Sequence, residues 1–175
     1  MKSISSSVIA LVAVLGGCAT SPTVQTFTIA GGQTIELPIA RGGALPTENS
    51  DVKIEVTGFM LDGQAKEITY AFGFTEKKRE TPRSVKVEDV TGSTAELLVE
   101  DKSPRLDAKG YWKGSARPRK KGDAGLSWLN EAGDTTKVFR FTIVTSDGRQ
   151  LVMHQASVWS GTSKPMLRQV LDAKG

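Results

Sequence analysis

The chain contains only one cysteine and one histidine among its 175 residues. A single cysteine cannot form an intrachain disulfide, so a folded domain must be stabilised by its apolar core alone. Zinc sites need several Cys or His ligands, and the composition argues against one. The apolar run Val8–Leu15 has only eight residues. A membrane-spanning helix needs about 20, so this run is too short to be a permanent transmembrane anchor.

The net charge of the chain is also small. The 23 Lys and Arg residues are nearly balanced by 19 Asp and Glu residues, which leaves a net charge of +4. This excess is too small to indicate a nucleic-acid-binding protein. Positive and negative residues are interleaved, as on a solvated surface. Frequent Gly, Ser and Thr residues are typical of short strands joined by turns.

The N-terminus has the three parts of an export signal. Lys2 precedes the apolar run Val8–Leu15, and small residues follow it. The segment Leu15-Gly16-Gly17-Cys18 resembles the lipobox of bacterial lipoproteins. The resemblance implies cleavage before Cys18, which then carries a diacylglyceryl group and an N-acyl chain; no other cofactor is expected. The alternative is a buried free cysteine, a common environment for this residue type.

The same resemblance predicts a location and a domain division. In a Gram-negative host, Ala19 after the lipidated cysteine favours the periplasmic face of the outer membrane. Residues 1–17 are then the signal peptide, 18–23 a lipidated tether, and 24–175 a single domain of ordinary size. At about 3.3 Å per residue, the tether keeps the domain within roughly 20 Å of the membrane. Export also separates the chain from nucleic acid.

Alternation of apolar and polar residues dominates the chain from residue 24 onward. Strand candidates lie at 24–29, 33–39, 51–59, 67–74, 84–90, 95–100, 137–146 and 149–158, with shorter pieces near 110–116 and 125–129. Short strands at this spacing predict an all-β antiparallel sandwich, immunoglobulin-like or transthyretin-like, or a barrel. Ser163–Leu171 has an N-cap residue and helical apolar spacing, and predicts one short C-terminal helix.

Turn residues predict how the strands pair. Asp147-Gly148 predicts a two-residue type I′ turn that pairs Phe141 with His154 and places both in the core. Ala30-Gly31-Gly32 predicts a hairpin between the first two strands. Leu61-Asp62-Gly63 predicts a three-residue loop with Gly63 in the left-handed conformation, which pairs Val56 with Ile68.

Catalytic signals are weak. His154 is predicted to be a neutral core residue, and no Gly-x-Ser-x-Gly nucleophile elbow accompanies it. Ser50-Asp51-Val52-Lys53 matches the Ser-x-x-Lys pattern of penicillin-binding proteins. Here, however, the match enters a strand rather than a helix, and the companion motifs are missing. We therefore expect a protein that is not an enzyme; a hydrolase without a recognisable motif is the remaining catalytic alternative.

Basic residues are concentrated in one part of the chain. They are Lys109, Lys113, Arg117, Arg119, Lys120 and Lys121. Trp112 and Trp128 lie nearby, and a basic loop with aromatic residues can contact lipid headgroups, lipopolysaccharide phosphates or acidic wall polymers. The alternative is a solvated loop whose neighbouring tryptophans belong to the core.

These observations favour a lipid-anchored binding module over an enzyme. The leading hypothesis is an adaptor or structural part of the cell envelope, with the membrane and another envelope protein as partners. Exposed strand edges could recruit a partner strand. The alternative binding hypothesis is recognition of an anionic envelope polymer, glycan or lipid through the loop 109–121.

Overall fold

The computed structural model describes residues 22–39, 45–62, 67–116 and 133–159, and the regular structure in these residues is entirely β. Ten strands follow one another: β1 (Thr23–Thr28), β2 (Thr34–Ile39), β3 (Thr47–Glu48), β4 (Val52–Asp62), β5 (Glu67–Glu76), β6 (Ser84–Asp89), β7 (Glu96–Asp101), β8 (Tyr111–Ala116), β9 (Thr135–Val144) and β10 (Gln150–Trp159). The prediction of an all-β antiparallel protein is confirmed. The predicted helix at 163–171 and strand at 125–129 lie outside the described residues.

Two four-stranded antiparallel sheets form a sandwich-like body. The first sheet has the order β10-β9-β6-β7, and the second has the order β3-β4-β5-β8. Their facing sides form the main core, in which Phe72 packs edge-to-face on Phe139 at 5.4 Å and on Phe141 at 6.0 Å between ring centroids. Each such ring pair contributes about 0.5–1.5 kcal/mol beyond the burial of its area.

The hairpin β1–β2 forms a third layer. Its loop contains Gly31 and Gly32, both with positive φ, a conformation that glycine adopts readily. The hairpin predicted from this glycine pair is confirmed. Ile29 and Leu37 are buried with three residues of the first sheet region, Val90, Val138 and Ala156. This second core lies on the side of the first sheet that faces away from the main core.

The β9–β10 turn is one residue longer than the type I′ turn predicted for it. The amide of Thr145 donates to the carbonyl of Arg149 at 2.9 Å, which encloses the three residues Ser146, Asp147 and Gly148. Gly148 has a φ of +90°. The Thr145 hydroxyl bonds both the Asp147 carboxylate and the Arg149 carbonyl and so stabilises the wider loop.

Because of this longer turn, the side chains of β10 lie on the opposite faces of the sheet from those predicted. Phe141 pairs with Met153, and His154 pairs with Arg140. A register shift of one residue moves every side chain of a strand to the other face. The prediction that His154 lies in the core opposite Phe141 is therefore wrong; Met153 is the buried residue there.

The β4–β5 register differs from its prediction by four residues. Val56 pairs with Phe72 rather than with Ile68, and a bulge follows at Thr57. Because the difference before the bulge is an even number, Val52, Ile54 and Val56 remain on the buried face, as predicted. Strand β4 continues beyond the predicted end at residue 59 to Asp62, whereas β5 begins at Glu67 as predicted. Residues 63–66 lie outside the described residues.

Candidate functional site

The structure describes two members of the predicted basic group. Lys109 is exposed in the turn before β8, and Lys113 is exposed on the strand itself. The run from Arg117 to Lys121 follows the opposite end of β8 and lies outside the described residues, as do Trp128 and Cys18. A six-residue strand is about 20 Å long. Lys109 and Ala116, the last described residue before that run, therefore lie at opposite ends of β8.

Trp112 belongs to the main core. It is 2% exposed, and its indole stacks on Phe74 at 5.3 Å between ring centroids. The indole N–H donates to the Asp101 carboxylate at 2.9 Å, which joins β8 to β7 across the edge of the sandwich. For this tryptophan the core interpretation is confirmed, and its ring is not available to a ligand.

His154 lies outside the main core, half-buried opposite Arg140. Burial, together with the nearby Arg140 guanidinium, lowers the pKa of His154 and so favours its neutral form. Arg140 is itself held by Glu88 at 2.9 Å. Ser157, the nearest serine on the same strand, faces the opposite side of the sheet, so the described residues on β10 do not form a Ser–His pair.

The Ser50-x-x-Lys53 match lies in a turn. Asn49 accepts backbone N–H bonds from Asp51 and Val52, both at 2.8 Å, and this side-chain cap starts β4. Ser50 is exposed at the turn and Lys53 already belongs to the strand. The positions of Ser50 and Lys53 are thus explained by their places in a turn and in a strand, without a catalytic role.

Charged residues meet at the end of the sandwich that carries the β5–β6 and β9–β10 turns. Asp51 pairs with Lys78 at 3.1 Å and with Arg149 at 3.6 Å, and Arg149 pairs with Asp147 at 2.7 Å. Hydrogen bonds from Thr145 and Arg149 hold the pKa of Asp147 well below its usual range. These cations and carboxylates neutralise one another, so the cluster is not a cationic site for an anionic polymer.

Arg79 at this end has a left-handed backbone with a φ of +60°. This conformation is unfavourable for a residue with a Cβ, and glycine adopts it freely. We therefore expect Arg79→Gly to raise the free energy of unfolding by about 0.5–1 kcal/mol in urea denaturation. Lys102→Gly is the matched control, because Lys102 is exposed and has no positive φ. Equal losses of stability in both variants would contradict the prediction.

The edges of the sheets differ in how they are protected. Strand β7 carries Glu96, Glu100 and Asp101, and β8 carries Lys113. Charged side chains of this kind discourage pairing with another chain. Strand β3 has only two residues. The edge of β10 is covered near Gln155, whose side-chain amide donates to the Leu45 carbonyl at 2.6 Å.

Strand β1 has none of these protections. Its sequence, Thr-Val-Gln-Thr-Phe-Thr, has no charge and no proline, and its pairing with β2 has no bulge. Val24 is 69% exposed, and Phe27 alone in the strand is partly buried. Among the strands that the structure describes, β1 is therefore the edge best suited to accept another strand.

The hydrogen bonds of the hairpin show which β1 backbone groups face away from β2. The Ile29 amide donates to the Gln33 carbonyl at 2.9 Å, so Ile29 faces β2. Backbone groups alternate along an antiparallel pair. Those of Val24, Thr26 and Thr28 consequently point away from β2, toward the unpaired side. No other described strand pairs with this side of β1, so among the described residues these three pairs of N–H and C=O groups are available to an added strand.

Neither a metal cluster nor a membrane-spanning helix occurs in the part of the chain that the structure describes. These residues contain no group of three or more His, Cys, Asp or Glu side chains placed to hold a metal ion. Nor does any helix in these ranges have the length and hydropathy of a membrane span. Comparisons with protein-family models, curated proteins and solved structures gave no match.

Proposed function

We propose that this protein is a lipid-anchored, non-catalytic binding module of the cell envelope that acts by accepting a strand along the free edge of β1. The observation that carries this proposal is the exposed, uncharged and unbulged edge of β1. Main-chain hydrogen bonds supply the affinity in strand addition, and the side chains on either face supply specificity.

The position of β1 supports a role close to the membrane. The strand begins at Thr23, five residues after Cys18. If Cys18 carries the lipid, the tether is shorter than about 20 Å and the free edge lies near the membrane surface. The partner then supplies an extended segment close to the membrane, and the domain is a sandwich of the immunoglobulin-like or transthyretin-like kind with a short C-terminal helix.

Thr26→Pro tests this function directly. Proline removes the Thr26 N–H, which faces the unpaired side, and leaves the hydrogen bonds between β1 and β2 in place. We expect Thr26→Pro to lower the yield of chemically cross-linked envelope partner at least tenfold when the full-length protein is purified from its native membrane. Thr26→Val keeps the N–H and should recover the partner as the wild type does.

Thermal unfolding of both variants provides the necessary folding control. Strand addition at β1 is refuted if Thr26→Pro is folded and still recovers its cross-linked partners at the wild-type yield.

A further inference from the structure

We infer that the strand added to β1 is the β1 strand of a second copy of this chain, in an antiparallel pair centred on Thr26. The inference rests on the proposed function, because both use the same free edge. The added strand and its register with β1 are specified in addition. The protein would then be a structural module that associates with itself at the membrane.

Only one register uses all the free backbone groups of β1. With Thr26 opposite Thr26 of the second copy, Val24 lies opposite Thr28, and all three outward-facing residues of each strand find partners. A shift of two residues in one direction places Pro22, which has no N–H, opposite Thr28. A shift in the other direction places Ala30 opposite Val24, and the Ala30 amide already donates to the Val90 carbonyl at 3.0 Å.

The side chains suit this register. Residues directly opposite one another in a sheet lie on the same face. On the exposed face, Thr26 meets Thr26 of the second copy and Val24 meets Thr28. On the face toward the second core, Gln25 meets Phe27. None of these residues is charged, so pairing the strand with itself brings no like charges together.

Pairing also completes an incomplete sheet. The β1–β2 sheet has only two strands, and a two-stranded sheet is marginally stable without further packing. Joining two β1 strands produces a continuous four-stranded layer, in the order β2-β1-β1-β2, with twofold symmetry. This closed arrangement leaves no free β1 edge on which further copies could add.

A six-residue strand is a small contact, and we expect the association to be weak in dilute solution. Anchoring both copies in one membrane raises their effective concentration without any new contact. The association should therefore be measured with the full-length chain in its membrane.

Cysteine cross-linking tests both the occupant and the register. We expect Thr26→Cys in the full-length chain to form a disulfide-linked dimer in native membranes under mild oxidation. In the proposed register the two Cα atoms at residue 26 are about 5.5 Å apart, within the range of a disulfide. Thr28→Cys is the matched control: residue 28 is also exposed and lies on the same face, but its two copies lie about 13 Å apart along the strands. Its dimer yield should be at least tenfold lower.

Two controls accompany the cross-linking. The wild-type chain measures any disulfide formed through Cys18 alone. Co-expression of Val24→Cys with Thr28→Cys should give the mixed disulfide, because these positions are opposite one another in the proposed register.

The inference is overturned if Thr26→Cys gives no more dimer than Thr28→Cys. If Thr26→Pro nevertheless abolishes recovery of a cross-linked partner, strand addition at β1 stands and the occupant is a strand of another protein. If Thr26→Pro also has no effect, the proposed function fails with the inference.

Discussion

Gly114→Ala is expected to lower the free energy of unfolding by about 2 kcal/mol, measured by urea denaturation. A Cβ at this position would lie 2.2 Å from the far edge of the Trp112 indole. The indole cannot easily move away, because it is 2% exposed, stacked on Phe74 and hydrogen-bonded to Asp101. Overpacking a core costs about 1–3 kcal/mol, and losing a hydrogen bond adds about 1 kcal/mol.

Gly92→Ala is the matched control for this prediction. Nothing lies within 4 Å of a Cβ at Gly92, and its φ is not in the left-handed region. The variant should be neutral or slightly stabilising, since alanine restricts the unfolded chain. In a Trp112→Phe background the cost of Gly114→Ala should shrink by about 1 kcal/mol or more, because the clashing ring is absent. Equal effects of Gly114→Ala in the two backgrounds would contradict the indole contact.

Local pattern is sufficient to predict most of the strands and the first hairpin. Alternation in 51–59 and 84–90 identifies β4 and β6, and the glycine pair at 31–32 identifies the β1–β2 turn. These features depend on residues close together in the chain. Hairpin registers are harder to predict, because Asp-Gly fits both a two-residue turn and the end of a three-residue loop.

The wrong prediction for β10 has a specific physical cause. Alternate residues Val152, His154, Ala156 and Val158 form an apolar-looking face, which by its pattern alone belongs in the main core. In the structure Ala156 and Val158 are buried, but Ala156 belongs to the second core, while Val152 is 49% exposed. A strand covered on both sides loses the simple alternation of a half-buried strand. The third layer that covers it comes from a distant part of the chain.

The candidate site can be only partly predicted from the sequence. Strand edges that could recruit a partner are expected in any open sandwich. In the sequence, however, the charged segments are easier to recognise as candidate binding sites than an edge strand is. The signal for β1 is an absence: six residues without charge or proline directly after the proposed tether. Whether such a strand is an edge or is enclosed depends on the pairing of all other strands. Pairing between distant segments is the information that local pattern lacks.

Cys18→Ser is expected to abolish acylation, measured by incorporation of a labelled fatty acid. If Cys18 is the lipidation site, a serine hydroxyl does not provide the thiol that would accept the diacylglyceryl group, and the modification and the cleavage before residue 18 should be lost together. We expect label incorporation to fall to background and a larger precursor to replace the mature chain. Ala19→Ser is the control, because it keeps the thiol and should remain labelled.

The consequence of losing the lipid extends to the proposed association. Each buried methylene contributes about 0.8 kcal/mol, so two or more acyl chains hold a protein stably, whereas a single chain holds it only marginally. Two copies held in this way can pair through a short strand that would be too weak in solution. Thr26→Cys in the Cys18→Ser background should therefore give much less dimer than in the acylated chain. If Cys18→Ser remained acylated, residue 18 would not be the lipidation site. The reason to expect pairing close to the membrane would then be lost as well.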